Sequence, residues 1–215
     1  MSIRAGDIAN NQYIYYFYRS IINKIMVENR KIILAVTGAS GSVYALSLIE
    51  RLSGLKSPPA EIATLFSETA KQIWDHETGK PFVGISPVKV YENDNYFVPF
   101  ASGSSDYDTM IICPASMGTI GRIAGGVSDD LICRAADVML KERRRLIIVP
   151  RESPYNLIHI RNMETLTLAG AVICPASPSF YSKPVTINDL VMTVVERIIS
   201  LAGFEADTYR WMTND

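Results

Sequence analysis

The sequence predicts an α/β protein, a three-layer sandwich in which a parallel sheet is covered by helices on both faces. Two observations carry this expectation. Short runs of continuous apolar, β-branched character alternate with segments of helical apolar spacing, and the runs lack the polar alternation of a sheet with one wet face. Each run then closes in a cluster of Gly, Ser or Pro that opens the next helix, as parallel strands joined by crossover helices require.

The elements follow in order. Lys31 to Thr37 (KIILAVT) reads as the first strand, closed by Gly38, and Val43, Leu46, Ile49 and Leu52 space the apolar side of the helix after it. A second strand is expected near Glu61 to Phe66 with a helix from Ser67, and a third from Thr109 to Cys113 with a helix from Ser116. The next strand is Leu146 to Val149, followed by a helix through His159 and a strand from Ala171 to Cys174. Gly79 to Ser105, richer in Pro, Asn and Ser, reads as a long functional excursion. The whole is Rossmann-like, and such sheets bind ligands where the carboxyl ends of strands meet helix N-termini.

A chain of 215 residues, 48% hydrophobic, is long enough for one core, so residues 30–215 are expected to form a single domain. Residues 1–29 read as an N-terminal extension. Its apolar, aromatic stretch from Tyr13 to Val27 is interrupted by Arg19 and Lys24 and is no signal peptide; a helix packing on a neighbouring subunit or a start placed upstream of Met26 is expected ahead of a membrane-surface helix. With 21 basic against 22 acidic residues, no global field attracts nucleic acid or an anionic membrane. The charge-free stretch from Thr165 to Ser182 is broken by Gly170, Pro175 and Pro178 and cannot span a bilayer. Cys113, Cys133 and Cys174 are too scattered for a disulfide framework or a zinc site, so no metal and a reducing cytoplasmic setting are expected.

Three small polar clusters are candidates for binding an anion. Thr37-Gly-Ala-Ser-Gly-Ser42 and Cys113-Pro-Ala-Ser-Met-Gly-Thr119 each follow a strand and open a helix, where backbone N–H groups and hydroxyls cradle phosphate or simply cap the helix. Ala101 to Asp106 is the third, expected at the same sheet edge. The spacing is neither G-x-G-x-x-G nor a P-loop, which favours a mononucleotide such as FMN over NAD. From Asp130, the residues Asp130, Arg134, Asp137 and Lys141 share a helix face, either as a solvated stripe or as a second anion site with aspartates orienting the cations. Arg151 and Glu152 follow a strand, where such sheets keep their sites.

Six stretches together resemble the flavin prenyltransferases, UbiX-like Rossmann-like (flavodoxin-like) flavoproteins: TGASG (Thr37 to Gly41), ASGS (Ala101 to Ser104), CPASMGT (Cys113 to Thr119), RAADVMLKERR (Arg134 to Arg144), PRESP (Pro150 to Pro154) and FYSKP (Phe180 to Pro184). The resemblance runs from about Lys31 to Trp211. It implies transfer of a dimethylallyl group from dimethylallyl phosphate to N5 of reduced FMN, with closure onto C6 and no metal. The product would serve a UbiD-type decarboxylase. It further implies that Gly38, Ala39, Ser40, Ser67, Ser102, Ser116, Met117, Gly118, Thr119 and Arg151 bind FMN. Arg134, Lys141, Tyr181 and Arg197 would hold the allylic phosphate, with Lys141 also catalytic. Glu152, with Glu77 and Ser40, would handle protons, and Tyr96, in place of a family Trp, and Trp211 would wall the site. Family members form dodecamers that share active sites between subunits, so Tyr181 or Arg197 could complete a neighbour's site. Two other readings compete: an FMN-dependent cysteine decarboxylase, for which no His follows the first turn, and an FMN carrier, for which a second anion site has no use.

Overall fold

The structure is a computed structural model and describes residues 29–206. The extension, except its last residue, and Trp211 lie outside the described residues. Six parallel strands form one sheet: β1 (Lys31–Val36), β2 (Glu61–Phe66), β3 (Val88–Tyr91), β4 (Tyr107–Ala115), β5 (Arg145–Pro150) and β6 (Val172–Ile173). Their order is β3-β2-β1-β4-β5-β6, the order of a doubly wound Rossmann sheet, and without the edge strand β3 it is the flavodoxin order. Six helices connect and cover them: α1 (Ser42–Ser53), α2 (Glu68–Thr78), α3 (Met117–Ala124), α4 (Leu131–Lys141), α5 (Leu157–Leu168) and α6 (Ile187–Leu201).

Alternation along each strand splits the core in two. Ile32, Leu34, Ile62, Ile111, Ile147 and Val149 face α1 and α6, where Leu48, Leu52, Val195 and Ile198 meet them. Ile33, Ala35, Leu65, Met110, Ile112 and Ile148 face α3, α4 and α5, where Ile120, Ile132, Ala136, Met139 and Leu166 meet them. Each fully buried Ile, Leu, Val or Met among them contributes roughly 1.5–3 kcal/mol relative to exposure. α2 lies on the α1 side, its Trp74 set edge-on against Phe66.

Two expectations need correction. The buried side of α1 is Ala45, Leu48, Ile49 and Leu52, while Val43 is exposed, because the helix turns its small Ala45 toward the sheet. The excursion from Gly79 to Ser105 contains β3 and a 3-10 turn, Pro99–Ala101, whose Phe100 is fully buried.

The amino edge of the sheet is held by one buried acid. Glu61 accepts hydrogen bonds from Tyr91 (2.9 Å), Lys89 (2.5 Å) and Tyr107. Phe100 stacks edge-on between Tyr91 and Tyr107, 5.1 and 5.0 Å away. Burial pushes the Glu61 carboxyl up, but the bonds from Lys89, Tyr107 and Tyr91 outweigh it and hold it below its ordinary value of 4.5. A group depressed in this way adds stability above its unfolded value and loses it as pH falls through the folded one. We therefore expect Glu61→Gln to cost about 1–3 kcal/mol at neutral pH. In paired thermal melts its deficit should shrink as pH drops below the ordinary carboxylate range; a deficit constant with pH would show that the charge of Glu61 contributes nothing.

Candidate active site

Strand order reverses between β1 and β4, which opens a crevice above their carboxyl ends. Thr37, buried at the end of β1, ties the two sides together. Its backbone N–H (3.2 Å) and hydroxyl (2.9 Å) both donate to the Pro114 carbonyl, and the hydroxyl accepts from the Ser116 N–H at 2.7 Å. The turn after β5 joins them through the Arg151 N–H, which donates to the Ala115 carbonyl at 3.3 Å. Gly41 has φ 116°, a conformation that disfavours side chains, and a β-carbon there would sit 3.8 Å from the Arg151 stem. Gly38, Ala39, Ser40, Ser67, Ser116 to Thr119, Arg151 and Glu152 therefore all stand at one edge, as their positions at strand ends predict.

The two helix starts differ in what they leave open. At α1 the Glu77 carboxylate accepts from the N–H groups of Gly41 (3.1 Å) and Ser42 (2.7 Å) and from the hydroxyls of Ser40 and Ser42. Burial raises the Glu77 carboxyl, but these hydrogen bonds outweigh it and keep it ionised below its ordinary value. The first turn therefore holds its own anion, and Glu77, expected with Ser40 to handle protons, lies within hydrogen-bond reach of Ser40. At α3 the Ser116 hydroxyl caps Thr119 N–H at 3.3 Å, which leaves Met117 and Gly118 N–H at the helix mouth. A β-carbon on Gly118 would meet nothing within 4 Å. Ser67 caps α2 through Ala70 N–H at 3.2 Å.

The expected phosphate residues do not meet within one chain. Arg134 and Lys141 lie on α4, packed on the Ile33 face of the sheet, while Arg197 lies on α6 against the Ile32 face. Lys141 pairs with Glu142 beside Gly103, where any β-carbon would collide with that pair, close to the amino end of β5. Arg151 and Glu152 stand at the other end of β5, roughly 16 Å along the strand. Ser102 and the rest of Ala101 to Asp106 belong with α4: Arg134 Nε donates to Ala101 O at 3.0 Å, and Arg144 holds Gly103 O and Ser105. That cluster leads into the amino end of β4, so its expected place at the carboxyl edge is corrected.

Tyr181 and Arg197 do come together. They line a cavity of about 320 Å³ with Cys174, Ser177, Ser179 and Met192. Of the expected stripe, Arg134 pairs with Asp137 at 2.8 Å, but Asp130 turns to Arg122 at 2.6 Å and caps α4. Arg122 also holds Asp129, so one guanidinium bridges both carboxylates of the Asp129, Asp130 and Cys133 group. Tyr96 is half-exposed beside α4, its hydroxyl donating to Ser128 O at 3.4 Å. Sequence reasoning missed Arg122 and the tie at Thr37. The hydroxyl ending β1 was the visible signal for the tie.

Comparison with known proteins agrees with this geometry. The Flavoprotein family model matches residues 20–199. The chain is 42% identical to a flavin prenyltransferase UbiX of Methanocaldococcus jannaschii over 85% of this chain and 99% of the relative. Among solved structures, AnUbiX (PadA1) in complex with FMN and dimethylallyl pyrophosphate is 38% identical with a TM-score of 0.78, covering 87% of this chain and all of that one. A dodecameric FMN-dependent UbiX-like decarboxylase of Escherichia coli O157:H7 is 34% identical with a TM-score of 0.77, covering 85% and 100%. This chain belongs to the Flavoprotein family, and within it to the UbiX-like flavin prenyltransferases.

Proposed function

We propose that the chain transfers a dimethylallyl group from dimethylallyl phosphate to N5 of reduced FMN and closes a fourth ring at C6, without a metal. The observation that carries this reading is the open mouth of α3 at the strand-order reversal, bordered by Arg151 and Glu152, in a chain so similar to a protein solved with FMN and dimethylallyl pyrophosphate. Met117 and Gly118 N–H groups suit the flavin phosphate, because they are unfilled donors at the positive end of a helix. The α1 mouth does not, since Glu77 fills it.

Gly38, Ala39, Ser40, Ser67, Thr119 and Arg151 would line the rest of the FMN site. Breaking the allylic C–O bond leaves the electron pair on phosphate, and fixed cations with a phenol stabilise that charge as it forms. Arg134, Lys141, Tyr181 and Arg197 are suited to this. Because the sheet separates them, we place each donor site between copies: Tyr181 and Arg197 from one, Arg134, Lys141 and Ser102 from another. A closed homo-oligomer, a dodecamer in the E. coli O157:H7 relative, supplies such pairings. Glu152 is the candidate to take the proton released as the ring closes. The product would pass to a UbiD-type decarboxylase, and we place the reaction in the cytoplasm, without nucleic acid. Among the described residues no helix is long and apolar enough to cross a membrane.

The test is anaerobic incubation with reduced FMN and dimethylallyl phosphate, followed by mass spectrometry of the flavin. A gain of one five-carbon unit is expected; an unchanged flavin with either the mono- or the diphosphate donor would overturn the reading in favour of an FMN carrier. In the same assay Glu152→Gln and Lys141→Ala should keep FMN yet lose roughly 10²- to 10³-fold in turnover; unchanged rates in both would remove them from the site. Gly118→Asp adds a β-carbon that meets nothing within 4 Å and an acid that favours the helix start, so stability should hold. Flavin fluorescence titration should show FMN affinity falling about tenfold or more, as a like charge faces the phosphate; unaltered affinity would place the phosphate elsewhere.

A further inference from the structure

Among the described residues two acids are buried, Glu61 and Glu196, and the frame of the sheet accounts only for the first. Glu196 is 7% exposed, stands on α6 next to Arg197 and lines the same 320 Å³ cavity as Arg197 and Tyr181. It is the one acid among the residues that line that cavity. A carboxylate in the wall of a cavity suited to phosphate opposes the anion the cavity would receive. Stability does not explain it, because a buried ion pair is often no more stabilising than apolar residues of the same size.

The charge is held in place from one side. Arg51, in the last turn of α1, donates from Nε to Glu196 Oε1 at 2.5 Å. The pair forms a partition between two spaces. Glu196 lines the cavity of Tyr181 and Arg197, whereas Arg51 lines a separate cleft of about 340 Å³ with Gly54, Leu55, Lys56 and Glu205. The negative end of the pair therefore faces the cavity and the positive end faces away from it.

That orientation matters for the choice of donor. Transfer from a monophosphate or a diphosphate ester breaks the same C1–O bond and leaves its electron pair on the departing oxygen, so the donors differ in the size and charge of the group the cavity must hold. A phosphate monoester carries about −1.5 to −2 near neutral pH, and a diphosphate ester adds a second phosphate with further negative charge. We propose that Glu196, held by Arg51, is a specificity residue that turns the donor cavity against the diphosphate ester and so selects the monophosphate. This rests on the transferase reading above. Two substitutions separate the charge from the tie it makes. Glu196→Gln removes the negative charge from the cavity wall and releases the Arg51 guanidinium toward a second phosphate. Arg51→Met keeps the carboxylate and removes its counter-charge. Both break the same link between α1 and α6, yet they change the charge felt in the cavity in opposite directions.

The experiment measures kcat and KM of the intact assembly for dimethylallyl phosphate and dimethylallyl diphosphate, with reduced FMN under anaerobic conditions, in wild type, Glu196→Gln and Arg51→Met. FMN affinity and thermal melts are recorded alongside to establish that each variant is folded. Wild type should have the higher kcat/KM with the monophosphate. In Glu196→Gln this preference should fall about tenfold, through a lower KM for the diphosphate, and in Arg51→Met, above neutral pH, it should rise. A folded Glu196→Gln with the wild-type preference overturns the proposal, as does a shift in the same direction in both variants, which loss of the tie alone would give. Should Glu196→Gln not fold, Arg51→Met decides: a raised preference supports the proposal, and an equal or lowered one overturns it. A wild type that turns over the diphosphate at least as well as the monophosphate overturns it without any variant. If wild type prenylates no flavin with either donor, the transferase reading fails first, and this proposal with it.

Discussion

The hydroxyl and N–H of Thr37 are the joint on which the site depends. A parallel sheet whose order reverses between β1 and β4 leaves two strand ends side by side with nothing above them. Thr37 closes that gap from below with two bonds to Pro114 O and one from Ser116 N–H, all within a buried setting where each counts for more than in water. The turn at Gly38 to Gly41 and the start of α3 are thereby held in fixed relation. Arg151, bonded through its N–H to Ala115 O, extends the same frame to β5. Each of the candidate residues at this edge inherits its position from this joint.

The same sheet that builds this edge divides the cations. α4 and α6 pack on opposite faces, so Arg134 and Lys141 cannot reach a phosphate held by Tyr181 and Arg197 of their own chain. Their ion pairs at home are weak. The Arg134–Asp137 and Lys141–Glu142 pairs are partly exposed, and solvent and salt screen such pairs. Cations held so lightly can be given up to a phosphate once a second copy excludes water and strengthens the attraction. By contrast, Arg144 is fully committed to Gly103 O, Ser105 and Tyr107 O, and serves the loop on which Arg134 rests.

Much of this was legible in the sequence because it is local. β1, β2, β4 and β5 are continuous apolar runs, and Ser67 and Ser116 stand where N-caps belong. β3 escaped because it is four residues long, at the sheet edge, with Lys89 exposed, so it carries no apolar run. The α1 face was misjudged because apolar spacing cannot tell that small Ala45 packs while Val43 faces water. Glu77 was placed in the site by resemblance, but only the fold shows that it closes the α1 mouth from 35 residues along the chain. Asp130 looked like a partner of Arg134 by helical spacing, and tertiary packing gave it Arg122 instead. Residues on one helix face were predictable; which face meets which neighbour was not.

The central claim is that each donor site is built from two copies. Differently tagged Lys141→Ala and Arg197→Ala chains, co-expressed and purified through both tags, would hold both lesions in one assembly. Prenyl transfer should return in the mixed assembly although each variant alone is nearly inactive, because some interfaces then join an intact Lys141 to an intact Arg197. Activity no greater than that of the two separate variants would contradict the account and place all four phosphate residues in one chain.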